Sequence, residues 1–454
     1  MHAVGAGRAD AERQVQLGGA ADVDGGGGRH AGKRSGGVAY TCAMLWQPAL
    51  PDRYLRMTDE ELAAGIRARK EQLGDRLLVL GHHYQQDDVV RHADLTGDSL
   101  KLSQMAADEA RRRGSEWIVF CGVHIMAETA DILTDDAVQV VLPDLSAGCS
   151  MADMAQFDQA VEAWESVARA VRGTRTRVIP ITYVNSSAAI KAFVGGKGGA
   201  CCTSSNAGHV FDWALAGGDE PPADGEEVRI LFLPDQHLGR NTAKRTGFVT
   251  EFDAAPGRPA DTALWDPRKP SGGLSAEEIR RARVLLWAGH CSVHKLFRPE
   301  HVEQVRALHA ADGGITVMVH PECSQDVVDL ADQSGSTEHI IRTIEEAPAG
   351  SRWAIGTEVH LVNRLARAAA ARGVHVRILS DCQCLCTTMY RIDPQHLLWC
   401  LDGIVAGRAP NVIRVHPEAK ALARKALERM LRHSGASGKA PRAGAAAPKP
   451  AFVD

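Results

Sequence analysis

The feature that most constrains this chain is a repeat. Three times, an apolar run of strand length ends in polar residues, and a Ser/Thr loop then opens a helical stretch. The first copy reads LLVLGHHYQQ followed by TGDS at 96–99, the second VIPITYVNSS followed by CTSSNA at 202–207, and the third ITVMVHPEC followed by SGST at 334–337. Their polar ends carry His82 and Tyr84, Tyr183 and Asn185, and His320 and Glu322. From His82 to Ser99, Asn185 to Ser204 and His320 to Ser336 the intervals are 17, 19 and 16 residues. Runs that are apolar throughout and alternate with helices belong to parallel sheets covered on both faces. Ligands of such sheets gather at the carboxyl ends of the strands. The pattern therefore predicts an α/β protein of three homologous parallel-sheet α/β/α units around a pseudo-threefold axis, with the active site at their junction.

The cysteines sharpen this picture. Of eleven in the chain, three lie far apart, each at or just past an apolar run: Cys121 after WIVF, Cys291 after VLLWAGH, and Cys386 closing HVRILSDCQCLC. Single cysteines at the ends of separate strands can converge where three sheets meet. Three thiolates cannot close a four-cornered cluster, so one metal corner stays open for substrate. That is the arrangement of a Lewis-acid catalyst rather than of an electron carrier or a structural staple. Cys149, Cys201, Cys202, Cys323 and Cys400 read as packing residues. Cys382 and Cys384 flank Cys386, and either replaces it as ligand or the two form a redox pair.

Residues 1–43 are rich in Gly, Ala and Arg and read as a disordered, dispensable extension or an over-long start. Thr58 and Glu61 form a capping box that opens a first helix. The three units are expected at 60–136, 137–309 and 310–434, the last ending in an amphipathic helix with Pro417 in its first turn, and 435–454 as a disordered tail. No signal peptide is visible, so free or metal-bound thiols are expected rather than disulfides, and a cytoplasmic location. The formal net charge of −4 excludes broad nucleic-acid or anionic-membrane binding. No apolar run approaches the ~20 residues of a membrane span.

The segments GHHYQQDDV, ADLTGDSLKLS, FCGVHIMAETADIL, PDLSAGCSMAD, YVNSSAAIKA, CCTSSNA, LPDQHLGRN, WAGHCSVH, HPEC, GSTEHII, GTEVHLV and CLCTTMYRI resemble the quinolinate synthase family over roughly residues 50–433. The resemblance implies a 4Fe-4S cluster held by Cys121, Cys291 and Cys386, with one open iron. It implies condensation of iminoaspartate with dihydroxyacetone phosphate to quinolinate, phosphate and water, in NAD biosynthesis. An oxidase or dehydrogenase producing iminoaspartate is then an expected partner. Tyr84, Glu322 and His82 are the expected proton-transfer groups. Both substrates are anionic and the strand-end turns that carry these groups, GHHYQQ, YVNSS and HPEC, contain no arginine, so hydroxyls, imidazoles and helix N-termini must hold them. Ser99, Tyr183, Asn185, Ser204, His294, His320, Ser336 and Thr337 fit that role. Burial beside anionic substrate is expected to raise the Glu322 pKa, and His83 reads as structural. Two other classes compete. One is a zinc-dependent hydrolase using the same thiolates with His294, although zinc favours local ligand pairs that this spacing lacks. The other is a non-catalytic iron–sulfur sensor, which would need a DNA-binding element.

Overall fold

A computed structural model describes residues 47–381 and 384–434; the expected terminal extensions and Cys382 lie outside the described residues. The strands are Leu77–His82 (β1), Leu95–Gly97 (β2), Trp117–Cys121 (β3), Gln139–Val141 (β4), Thr176–Tyr183 (β5), Ala200–Cys202 (β6), Glu227–Leu233 (β7), Thr262–Trp265 (β8), Val284–Trp287 (β9), Thr316–Val319 (β10), Gln333–Ser334 (β11), Arg352–Gly356 (β12), His375–Ile378 (β13) and Val412–Ile413 (β14). They form three sheets, ordered β14-β4-β3-β1-β2, β6-β5-β7-β9-β8 and β11-β10-β12-β13. Every pairing is parallel except that of β14 with β4.

Uniformly apolar runs become central strands because both of their faces are covered. All six residues of β1 are buried, as are all four of β9. The capping box forms as expected, with Thr58 and Glu61 reciprocally bonded at the start of the helix Asp59–Leu73. Each first strand of a copy (β1, β5, β10) releases its polar residues at its carboxyl end.

The chain divides differently from the expected 60–136, 137–309 and 310–434. Strand β4 lies past residue 136 and pairs with β3, so the first sheet draws in the loop that carries Cys149. The third sheet ends at Ile378. Beyond it, the helix Pro394–Val405 packs on the helix Asp59–Leu73, β14 joins the first sheet, and the helix Pro417–Arg432 packs on the helix Ala188–Gly196. Amphipathic periodicity shows that a helix is covered on one face and does not say by what. Gly195 permits that last crossing, since a Cβ there would meet the Leu422 carbonyl oxygen at 2.0 Å.

Candidate active site

The three sheets aim their carboxyl ends at one cavity. The first contributes His82, Tyr84, Ser99 and Cys149; the second Tyr183, Asn185, Ser204, Cys291 and His294; the third His320, Glu322, Thr337 and Cys386. Among the sequence candidates, Cys121 and Ser336 are missing from this lining. Ser336 instead caps the helix Thr337–Glu345, its hydroxyl accepting from the His339 amide, and it is the next residue, Thr337, that faces the cavity.

Cys121 is a correction of a different kind. It pairs with Gly81 in the middle of the first sheet and is fully buried in that sheet's apolar core. Its thiol lies near Cys400, and burial pushes it up to about 12. Being last in a strand does not decide which face of the sheet a side chain takes. The cysteine that lines the cavity with Cys291 and Cys386 is Cys149, from the loop after β4.

Three features recur at Cys149, Cys291 and Cys386 and are absent at Cys121. Two residues before each cysteine, a carbonyl accepts from the first N–H of the helix that follows β3, β7 or β12: His124 to Ala147 (2.8 Å), Gln236 to Gly289 (3.0 Å) and Val359 to Cys384 (3.1 Å). A Ser or Thr follows each cysteine. The next two amides then face the sulfur and favour its charged form: Met151 and Ala152, Val293 and His294, Thr388 and Met389. Buried carboxylates brace two of the loops. Asp235 accepts from the Cys291 amide at 3.1 Å, and Glu358, raised to about 8 by burial, lies against the Cys386 amide. Burial also raises all three thiols, Cys149 to about 12. Thiolates in this pocket therefore need a cation to offset desolvation. Three convergent sulfurs with amides behind them, and no fourth lining cysteine among the described residues, suit a metal site with one open corner.

The other cavity groups form one hydrogen-bonded set. The turns after β1 and β10 share a device in which the amide two residues on donates to the histidine Nδ1, Tyr84 to His82 at 3.1 Å and Glu322 to His320 at 3.3 Å. Each neutral ring then carries its proton on Nε2, and that of His320 faces Ser204 Oγ at 3.2 Å. Burial lowers both histidines to about 3, helped by His83 and Arg364 at His82 and by His294 at His320. Ser99 Oγ donates to Asn185 Oδ1 at 3.4 Å, joining the first two sheets. Burial holds the Tyr84 and Tyr183 phenols well above their usual range.

Glu322 departs from expectation. Burial alone would raise it, but the His294 contact at 3.0 Å, with His320 and the Tyr183 hydroxyl, outweighs burial and lowers its pKa. It is a carboxylate at neutral pH. His83 lies behind the lining, 2.9 Å from Glu338, as a structural residue would.

Cys291, His294 and Glu322 bring donor atoms within 4.8 Å of one another, close enough to suggest a single-ion site. Both His294 nitrogens are already engaged, Nδ1 by Glu322 and Nε2 by Thr357 at 3.2 Å, so neither is free to ligate zinc. Thr357 itself escaped the sequence reading, and its only signal is its place at the end of β12, just before the buried Glu358.

Fold and site together define an α/β enzyme built around a thiol-lined cavity at the carboxyl ends of three sheets. The chain belongs to the quinolinate synthetase A protein family, whose model matches residues 64–432, a family of enzymes of NAD biosynthesis. Among curated relatives, the quinolinate synthase of Acidobacterium capsulatum is 50% identical over 384 residues, which is 85% of this chain and 96% of the relative. That of Herpetosiphon aurantiacus is 51% identical over 383 residues, 84% and 95% of the two chains. That of Streptomyces coelicolor is 50% identical over 375 residues, 82% and 89%. Among the described residues no helix is long and apolar enough to cross a membrane.

Proposed function

We propose that this chain is a quinolinate synthase that condenses iminoaspartate with dihydroxyacetone phosphate, giving quinolinate, phosphate and water. The observation that carries this reading is the threefold recurrence of one cysteine turn around a single cavity. In this reading Cys149, Cys291 and Cys386 hold a 4Fe-4S cluster, and the three units are related by a pseudo-threefold axis. The cluster's open iron would supply Lewis-acid activation of a leaving hydroxyl.

The protein's own groups account for the rest. Among the described residues no Lys or Arg lines the cavity, so the hydroxyls of Ser99, Ser204 and Thr337 and the amides of the helix starts at Ser99 and Thr337 hold the substrate anions. Neutral His82 and His320 orient polar groups without adding charge. Glu322, ionised, accepts a proton from substrate, and Tyr84, firmly protonated, donates one to a departing oxygen. Walls drawn from three sheets exclude bulk water. The iminoaspartate would come from an amino-acid oxidase or dehydrogenase in the same compartment, which we take to be the cytoplasm.

The test is an anaerobic assay on reconstituted protein with iminoaspartate generated in place. Quinolinate formation is expected, together with a change in the reduced cluster's electron paramagnetic resonance spectrum on adding quinolinate. Iron-replete protein that forms no quinolinate would sink the proposal.

A further inference from the structure

The turns that carry Tyr84 and Glu322 are each gripped from outside their own sheet. Asn241, buried on the helix Gln236–Thr246, donates through Nδ2 to the carbonyls of Pro321 at 2.8 Å and Cys323 at 2.9 Å. Arg364, on the helix Val359–Ala370, donates to the carbonyls of Gln85 at 2.8 Å and His83, with Asp87 steadying its guanidinium at 3.0 Å. In both turns the two carbonyls belong to the residues on either side of the proposed acid–base group, Glu322 in one and Tyr84 in the other. The donors also match in position, each lying five residues past the first residue of its helix (236 to 241, 359 to 364). Those first residues are the ones whose amides bond to the loops of Cys291 and Cys386. One helix therefore ties a cysteine loop of its own sheet to a polar turn of another, the second sheet's helix to the third sheet's turn and the third sheet's helix to the first sheet's turn. Asn241 Oδ1 has no hydrogen-bond partner among the described residues, so this amide is buried for its donors. In the second turn the matching carbonyl, three residues past Tyr183, is that of Ser186, and it accepts from Lys191, fully buried on the helix that follows the turn.

We propose that Asn241 and Arg364 are positioning residues, which aim Glu322 and Tyr84 into the cavity by holding the peptide planes on either side of each. This rests on the acid–base roles proposed above. With both flanking carbonyls fixed, neither plane can rotate. The direction of the Cα–Cβ bond is then set, and with it the point at which the side chain enters the cavity. Because the same helix seats a cysteine loop, the spacing between that loop and the acid–base group is set by one element rather than by the meeting of two sheets. A displacement of ~1 Å at a reacting group costs on the order of 10²-fold in rate.

The substitutions that test this are Asn241→Leu and Arg364→Met, which keep much of the bulk and remove the donors. In iron-replete enzyme each is expected to lower kcat by ~10–10²-fold at unchanged KM and iron content. Groups that act through one another are non-additive. Asn241→Leu combined with Glu322→Gln should therefore lose no more than Glu322→Gln alone, and Arg364→Met combined with Tyr84→Phe no more than Tyr84→Phe alone. Wild-type kcat in both single variants, or losses that multiply in these pairs as a general loss of stability would produce, would overturn the assignment.

Amide hydrogen exchange in cluster-free protein gives a readout independent of turnover. The Glu322 and Tyr84 amides donate to His320 and His82 Nδ1 and should be protected in the wild type. Asn241→Leu should speed exchange of the Glu322 amide by ~10-fold and leave that of Tyr84 unchanged, and Arg364→Met should do the reverse. If either variant fails to fold, Asn241→Ser or Arg364→Lys, which keeps a donor, should show the same pattern with smaller changes. Unprotected amides in the wild type, or equal changes at both turns, would overturn the assignment. Wild-type enzyme that carries iron but makes no quinolinate would instead sink the proposed function, leaving hydrogen exchange to judge the grip.

Discussion

Replacing Cys121 and Cys149 separately by serine distinguishes two sites that lie in the same unit of the chain. Cys121 is fully buried in the first sheet's core, with its thiol near Cys400 and no carbonyl–helix bond or amide pair of the kind found at the other three cysteines. A serine hydroxyl there trades a weakly polar group for one that needs a partner, at a cost of about 1–3 kcal/mol. In a chain of this size that lowers the melting temperature by a few degrees. The cavity is untouched, so Cys121→Ser should keep its iron and most of its activity. Cys149→Ser should do the reverse. Its side chain faces the cavity, where the Met151 and Ala152 amides already favour an anion. A serine oxygen is a poor match for iron, so the variant should lose most of its iron and sulfide and all of its turnover while melting near the wild-type cluster-free temperature. Iron and sulfide analysis beside a thermal melt reads both effects. Full iron in Cys149→Ser together with iron-free Cys121→Ser would refute the assignment.

Other outcomes can be set against measurement. Glu322→Gln keeps the size of the side chain but removes the base, so turnover should fall by ~10²-fold or more with iron retained; near wild-type kcat would leave Glu322 an orienting role only. Tyr84→Phe removes the bonds to Thr337 and Thr357 and should cost about 1–3 kcal/mol of stability and lower turnover by ~10²-fold or more with iron retained, checked by denaturant unfolding and the same assay. His82 and His320 are neutral in the fold, with pKa values of about 3 against 6.5 for the free side chain. The unfolded chain therefore binds protons first as pH falls. Their contribution is intact above pH ~6.5 and declines toward pH ~3 by about 1.4 kcal/mol per pH unit for each. Denaturant midpoints of cluster-free protein should drop steeply between pH 6 and pH 4; a flat profile would mean that these rings are solvated.

The strands were the most legible part of the chain, because burial on both faces leaves an apolar run that nothing else explains, and their polar ends mark the cavity. His82, Tyr84, Tyr183, Asn185, His320 and Glu322 are all found there for that reason. The cysteine choice went astray on the same logic, since WIVFC is a clear strand end whereas Cys149 sits in an irregular loop after the short β4. The signal that separates them is local: Ser or Thr follows Cys149, Cys291 and Cys386, and Gly follows Cys121. Thr357 was beyond reach because its two partners lie 273 and 63 residues away, and no spacing rule links them. The lowered Glu322 pKa was equally hidden, since it depends on a histidine delivered by another sheet.

The way the last segment doubles back has a consequence for biosynthesis. The first sheet is not complete until Val412 and Ile413 arrive to pair with β4, and the helix Asp59–Leu73 waits for Pro394–Val405 to cover it. A growing chain therefore holds its first unit with one flank bare while more than two hundred further residues are made. Closure depends on contacts between the two ends of the sequence, which fold slowly because the intervening loop is long. A stop codon near residue 390 would spare every group named at the cavity and still yield a protein with exposed apolar faces on two sheets, prone to aggregate before iron could reach it.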